Sequence, residues 1–329
     1  MDNEITVVYI IIPVYNAENT IERCLKSVLN QTYDNCFIIC VDDASTDSTL
    51  KICRKVLQNG SVPYHIIESQ KNAGVSAARN KALDYICKNN GYAFFLDSDD
   101  EISSSGIMNL LHSVEAKKAE IGVLKITELS PGSIIQEDCN VKSDQAVDYV
   151  KLSNSANFLR FHGYVWGCLW PIDFVKDIRF DETIGYMEDN LWIAEVLKYN
   201  NIKTYAIIDD SYYYYIIPDS LSRKESRNQR AEQTLIAAMA YEHQEKECIT
   251  CNTSFLLNRR YFRNCFWGEL KVNHFKNCKA LIKTYCSCFS RTELIRIILD
   301  SSLSLKMKVA EIVMTTPVFE YWIYRIMLR

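Results

Sequence analysis

A chain of 329 residues, 48% hydrophobic and 24% charged, is long enough to bury a sizeable core in one large domain or two smaller ones. A net charge of −4 gives no footing for a nucleic-acid partner. The charge is uneven, because residues 271–329 carry ten Lys/Arg against four Asp/Glu and the acidic excess lies before them.

No stretch approaches the roughly 18 uncharged apolar residues of a membrane span, so no transmembrane helix is expected. Met1-Asp-Asn-Glu lacks the basic start of a signal peptide. With thirteen cysteines, that points to a reducing, cytoplasmic setting and mostly buried thiols. Cys248-Ile-Thr-Cys251 is a lone C-x-x-C and carries little weight as a metal or redox motif.

The first strand is Val7-Val-Tyr-Ile-Ile-Ile12, β-branched and continuous. It ends at Pro13-Val14-Tyr15-Asn16, where proline breaks the pattern and Asn16 can cap the next helix. Over residues 17–29, Ile21, Leu25, Val28 and Leu29 share one helical face. Phe37-Ile-Ile-Cys-Val41 is a second strand ending in Asp42-Asp43-Ala44-Ser45, with Ser45 read as the cap of a helix. A third strand, Tyr64-His-Ile-Ile-Glu68, leads into the Asn72-Ala-Gly74 turn and a helix over residues 76–88. The fourth, Tyr92-Ala-Phe-Phe-Leu96, stops abruptly at Asp97-Ser98-Asp99-Asp100, and Asp100 is read as a helix cap.

Strand–helix alternation at this spacing reads as an α/β, doubly wound, mostly parallel sheet. Ligands bind past the carboxyl ends of such strands, where Asp97 and Asp99 stand. Two adjacent carboxylates repel unless a cation lies between them. Mn²⁺ and Mg²⁺ take oxygen ligands and share them with substrate phosphates, so a metal–diphosphate site is expected. The first strand–helix turn has no glycine, which excludes the G-x-G-x-x-G fingerprint, and no Walker A sequence is present.

Beyond Glu101 the reading is a helix over 103–120, a strand over 121–126 and a polar loop over 130–147. An aromatic-rich stretch over 156–169 precedes Met187-Glu188-Asp189-Asn190 and a helix through 198. A strand near 204–208 is followed by Tyr212-Tyr-Tyr-Tyr215, and from about 222 the chain reads helical and basic.

Four pieces in order resemble the nucleotide-sugar domain of the family 2 glycosyltransferases, which have the Rossmann-like GT-A fold. They are Ile-Pro13-Val-Tyr15-Asn16, Val-Asp42-Asp43-Ala-Ser-Thr-Asp47, Asn72-Ala-Gly74-Val-Ser-Ala-Ala-Arg79-Asn80 and Leu-Asp97-Ser-Asp99-Asp100. Met187-Glu188-Asp189 resembles the acceptor-side E-D motif of that family. The resemblance covers about residues 5–225. It implies a GT-A domain over 1–225, with a nucleotide-sugar half over 5–100 and an acceptor half over 101–225. Residues 226–329 are expected to form a helical extension.

By the same resemblance Pro13 and Tyr15 flank the uracil of a UDP-sugar donor and Asp43 bonds its N3–H. Asn72 shapes the pocket, and Arg79 approaches the nucleotide or its diphosphate. Asp97 lies nearest the ribose and the metal, Asp99 is the direct ligand of Mn²⁺ or Mg²⁺, Asp189 is the catalytic base, and Glu188 assists it. The implied activity is inverting transfer of a hexose or N-acetylhexosamine to a glycan or lipid-linked acceptor in cell-surface polysaccharide synthesis. Two departures stand out. Tyr215 occupies a position where the family often has arginine, leaving Arg223 or Lys224 to substitute, and the Q-x-x-R-W signature of processive synthases is missing. The rival readings are a sugar nucleotidyltransferase and a non-catalytic partner subunit of the same fold.

The extension combines Lys306, Lys308, Arg325 and Arg329 with Phe319, Tyr321, Trp322 and Ile326. A basic, aromatic helical surface suits peripheral contact with the inner face of the plasma membrane. Packing on the catalytic domain or on a second copy of the chain is the alternative.

Overall fold

The computed structural model describes residues 6–130, 148–151, 163–185, 188–200, 202, 204–216 and 305. The chain divides into two compact units, Met1–Lys224 with Thr250–Leu257 and Glu225–Ile249 with Asn258–Arg329. The site built below lies in the first. Met187, Arg223, Lys224, both cysteines of the C-x-x-C, the stretch 131–147 and the extension apart from Leu305 lie outside the described residues.

The first unit opens with three strands and three helices in alternation: β1 (Val8–Val14), α1 (Ile21–Leu29), β2 (Cys36–Asp42), α2 (Thr49–Gln58), β3 (Tyr64–Glu68) and α3 (Val75–Ile86). β4 (Tyr92–Phe95), β5 (Glu101–Ile102), α4 (Gly106–Lys117), β6 (Ile121–Leu129), β7 (Asp148–Lys151) and β8 (Cys168–Pro171) follow. Last come α5 (Ile172–Val175), α6 (Glu188–Asn200) and β9 (Thr204–Tyr215). Among the described residues one sheet runs in the order β3-β2-β1-β4-β8-β6-β9-β5, with β7 also on β9. The β3-β2-β1-β4 set is parallel, so the carboxyl ends of these strands share one edge. From β4 onward the sheet is mixed: β8 runs antiparallel to both β4 and β6, while β6 and β9 are parallel.

All seven residues of β1 are buried, as expected of a central strand covered by helices on both faces. On α1 the stripe Ile21, Cys24, Leu25 and Val28 is buried in the same core. Truncating a core residue such as Ile11 to alanine would cost about 2–5 kcal/mol. Gly91, at φ 117, precedes β4 and is irreplaceable for a steric reason: an added Cβ would lie 2.2 Å from the Val7 carbonyl oxygen.

Three local expectations are corrected. Pro13 does not end β1, which runs on to Val14 with Pro13 opposite Val41. Pairing with β4 stops at Ile11–Phe95, so the missing N–H of Pro13 faces a side with no partner strand and no ladder bond is lost. Asn16 and Ser45 do not cap helices; Thr20 and Ser48 hold those positions. Instead the Ser45 hydroxyl accepts the Asn16 N–H at 3.0 Å, and Asn16 Oδ1 accepts the Thr46 N–H at 2.8 Å, tying the loops after β1 and β2 together. The strand read over 204–208 is much longer and takes in the whole tyrosine run.

Candidate active site

Asp43 follows β2 and is 3% exposed. Its Oδ2 accepts the N–H groups of Ala73 at 2.9 Å and Gly74 at 2.7 Å, drawing the turn before α3 against the strand end. Gly74 has φ 93, and an added Cβ would meet nothing within 4 Å, so the backbone angle is what requires glycine. Asp43 Oδ1 is buried and has no partner among the described residues, and neither does Ser76 Oγ in the first turn of α3. A buried acceptor left without a donor costs about 1–3 kcal/mol, which an incoming N–H would relieve. Pro13 is buried in β1, Tyr15 is 39% exposed just past it, and Asn72 is exposed two residues before Gly74.

Arg79, five residues into α3, is 2% exposed and grips carboxylates from distant parts of the chain. Its Nη1 donates to Asp189 Oδ1 at 2.5 Å and to Glu188 Oε1 at 3.1 Å, while Nη2 donates to Asp97 Oδ1 at 3.1 Å. Burial works against its charge, but Asp189, Asp97 and Glu188 outweigh it and raise the pKa above the ordinary arginine value. It is therefore not an exposed helix arginine. The next residue, Asn80, bonds Phe180 in both directions, at 2.9 and 2.8 Å, and Glu182 at 2.9 Å. The same helix thus holds the chain that leads into α6.

Glu188 and Asp189 open α6, where acidic side chains also complement the helix dipole. Asp189 is 8% exposed and its Oδ2 takes the Val165 N–H at 3.4 Å. Burial pushes its carboxyl up, Arg79 pulls it down and Glu188 pushes it up again, leaving it at about 7. Asp97 is raised by burial against the pull of Arg79. Asp99 is raised to about 6, by burial and then by the negative charge of Asp97.

Asp100 is not a helix cap. It is fully buried, is followed by β5, and accepts the Tyr212 hydroxyl at 2.9 Å and the Tyr215 N–H at 2.9 Å, both from β9. Burial and the charges of Asp99 and Asp97 push it up to about 8. Tyr215 lies under Arg23, whose guanidinium carbon is 3.6 Å from the ring centroid. Arg23 also pairs with Glu101 at 2.9 Å and donates to the Asp99 carbonyl. Among the described residues this arginine from α1 is the cation beside Tyr215.

Residues 9–153 match the family described as "Glycosyl transferase family 2". The chain carries a family 2 glycosyltransferase domain. It is 29% identical over 231 residues to "Glycosyltransferase GlyA" of Streptococcus pneumoniae, covering 68% of this chain and 32% of that protein. It is also 29% identical over 215 residues to "Minor teichoic acid biosynthesis protein GgaA" of Bacillus subtilis, covering 63% of this chain and 46% of that one. The chain therefore spans less than half the length of either relative. Residues 1–349 of S. aureus TarS, solved in complex with UDP-GlcNAc, superpose with a TM-score of 0.68 at 18% identity, covering 96% of this chain and 91% of that one. At that identity the likeness shows the fold, which is GT-A.

Within this domain the acids that could hold a cation are a pair, Asp97 and Asp99. Among the described residues no three His, Cys, Asp or Glu side chains converge as a closed cage. A pair suits Mg²⁺ or Mn²⁺, which keep positions for substrate phosphates, better than a metal bound wholly by protein. The Asp99 carboxylate has no side-chain partner among the described residues and is held high first by burial and then by its acidic neighbour, a state that a bound cation would relieve. The residues fit the ion. Sequence reasoning missed Arg23, which sits in no motif, and gave no site role to Tyr212, which opens the tyrosine run; only the spatial pairing of α1 and β9 with the acidic turn reveals them.

Proposed function

We propose that this chain is an inverting, metal-dependent glycosyltransferase that moves a hexose or N-acetylhexosamine from a UDP-sugar to a glycan or lipid-linked acceptor in cell-surface polysaccharide synthesis. One observation carries the reading: a single buried guanidinium joins Asp97 at the strand end to Asp189 at the start of α6, at 3.1 and 2.5 Å. An acid of the donor edge and a carboxylate of about pKa 7 therefore stand within the span of one sugar.

Asp43 Oδ1, buried and unpartnered, accepts the imide N–H of the uracil, and Tyr15 lies against the base. Asp99 and Asp97 hold the divalent cation, which when bound supplies Lewis-acid stabilisation of the departing diphosphate. Asp189 takes the proton of the acceptor hydroxyl as it attacks; at about 7 its affinity suits a base that works near neutral pH. A base on the face opposite the leaving group gives in-line displacement and inversion at the anomeric carbon. Glu188 shares the Arg79 guanidinium with Asp189 and keeps the base high. The UDP-GlcNAc bound to TarS and the surface polymer in the name of GgaA support the donor and the setting. Residues 226–329 supply membrane or partner contact in this reading, which flotation of the full chain with anionic liposomes checks.

The decisive experiment is a nucleotide-sugar panel with Mn²⁺ or Mg²⁺, read by calorimetry and by release of nucleoside diphosphate. The expected result is metal-enhanced binding of a UDP-sugar and release of UDP. Failure of every nucleotide sugar to bind, with or without metal, would sink the proposal.

A further inference from the structure

The acidic turn after β4 carries three carboxylates in four residues, Asp97, Asp99 and Asp100, yet only the first two are even partly exposed. The third is turned away by β9. Tyr215 gives its N–H to Asp100 Oδ1 at 2.9 Å, and the Tyr212 hydroxyl donates to Oδ2 at 2.9 Å. The same phenol oxygen accepts the Asp97 N–H at 3.1 Å. A backbone bond from Asp100 N–H to the Asp97 carbonyl, 3.1 Å, closes the turn. Both ends of the turn are thus pinned to one oxygen atom.

That oxygen is itself fixed. Tyr212 is fully buried, and its ring stacks on Trp166 with centroids 4.4 Å apart and planes at 23°. Gly167, at φ 71, lets the chain pass close to the ring, where an added Cβ would come within 3.3 Å of Tyr212 Cδ2. The remaining carboxylates keep separate roles: Asp97 meets Arg79, and Asp99 is left without a side-chain partner among the described residues.

We propose that Tyr212 is a positioning residue for the cation site, holding Asp100 out of the acidic pair and setting the turn so that Asp97 and Asp99 face the ion together. The inference rests on the metal-dependent UDP-sugar reading above. Tyr212→Phe keeps the ring, its size and its stacking, and removes only the oxygen. Both bonds go at once, and the turn loses the contact that fixes its two ends relative to each other.

The test is titration of UDP into the full chain, wild type and Tyr212→Phe, with and without Mn²⁺, beside a melting curve. We expect the Mn²⁺-dependent gain in UDP affinity to shrink by about tenfold in the variant, on the scale of two lost hydrogen bonds. Metal-free UDP affinity should stay within about twofold, because the base contacts lie at Asp43. Asp100→Asn serves as the second variant if the first does not fold, since an amide cannot accept at both positions and the same selective loss follows. A full Mn²⁺ gain in both variants would overturn the role of Tyr212 and leave the function standing. An equal loss with and without metal would also overturn it, as a structural effect only. If the wild type itself gains nothing from Mn²⁺ or Mg²⁺, the metal reading falls, and this inference with it.

Discussion

Two acidic clusters meet at Arg79, and they are neutralised to different extents. Glu188 and Asp189, at the start of α6, have side chains only 13% and 11% exposed, and both share one guanidinium nitrogen. Asp97 and Asp99, past the end of β4, stand more open: the Asp97 side chain is 28% exposed, and Asp99 has no side-chain partner among the described residues. The first pair already has its cation within the protein. The second has part of one. The difference teaches that equal residue types at a site need not do equal work. A carboxylate already neutralised and buried is suited to trade a proton, while a carboxylate held beside another negative charge is suited to take a metal.

The largest effect that would break this comparison is at the base. Asp189→Asn should lower kcat by about 10²–10⁴, the usual worth of a positioned general base, while UDP binding with Mn²⁺ stays within a factor of two. Near wild-type transfer to a working acceptor would remove Asp189 from the role. Next in size is Asp99→Ala, expected to abolish the Mn²⁺-dependent part of UDP affinity, seen by calorimetry, without unfolding the chain. Unchanged metal dependence would reject Asp99 as a ligand.

Arg79→Lys sharpens the comparison rather than breaking it. If Asp189 is the base, it works only when ionised, so the rate should rise with pH and level off above about 7. Arg79 lowers that value, and a lysine reaches fewer carboxylates than the guanidinium fork, so the acid limb of kcat/KM should move to higher pH. A limb that stays in place, or moves down, contradicts the coupling. The smallest effect is expected far from either cluster. Arg54 and Glu68 form a 2.6 Å pair with side chains 51% and 48% exposed, and Arg54→Ala should cost less than about 1 kcal/mol and leave transfer unchanged.

Much of the parallel half was legible in the sequence. The β-branched runs behind Ile11, Ile39 and Ile66 can be read as strands because their burial is set by local composition and short connections. β9 was legible only at its start, since Asp209-Asp210-Ser211 breaks the apolar pattern. The strand survives that break because Asp209 is exposed and pairs with Lys125 at 2.6 Å, while Asp210 accepts from Ser105 and Asn109 on the far side. The register with β6 also shifts between Leu124 and Lys125, an irregularity no pattern announces. β8 was hidden in the same way, inside an aromatic-rich stretch with no alternation to mark it.

For the site, the sequence by itself determined which acids stand at strand and helix ends, because chain order and strand length place Asp43, Asp97 and Asp189 there. It did not determine what faces them. Arg79 lies 18 residues from Asp97 and 110 from Asp189, and Tyr212 lies 112 from Asp100. Only folding brings those groups within hydrogen-bond reach, and the charge state of a carboxylate depends on just such neighbours and on the water they exclude. Asp100 shows the limit most plainly. Locally it resembles a cap, and only the arrival of β9 turns it into the anchor of the turn.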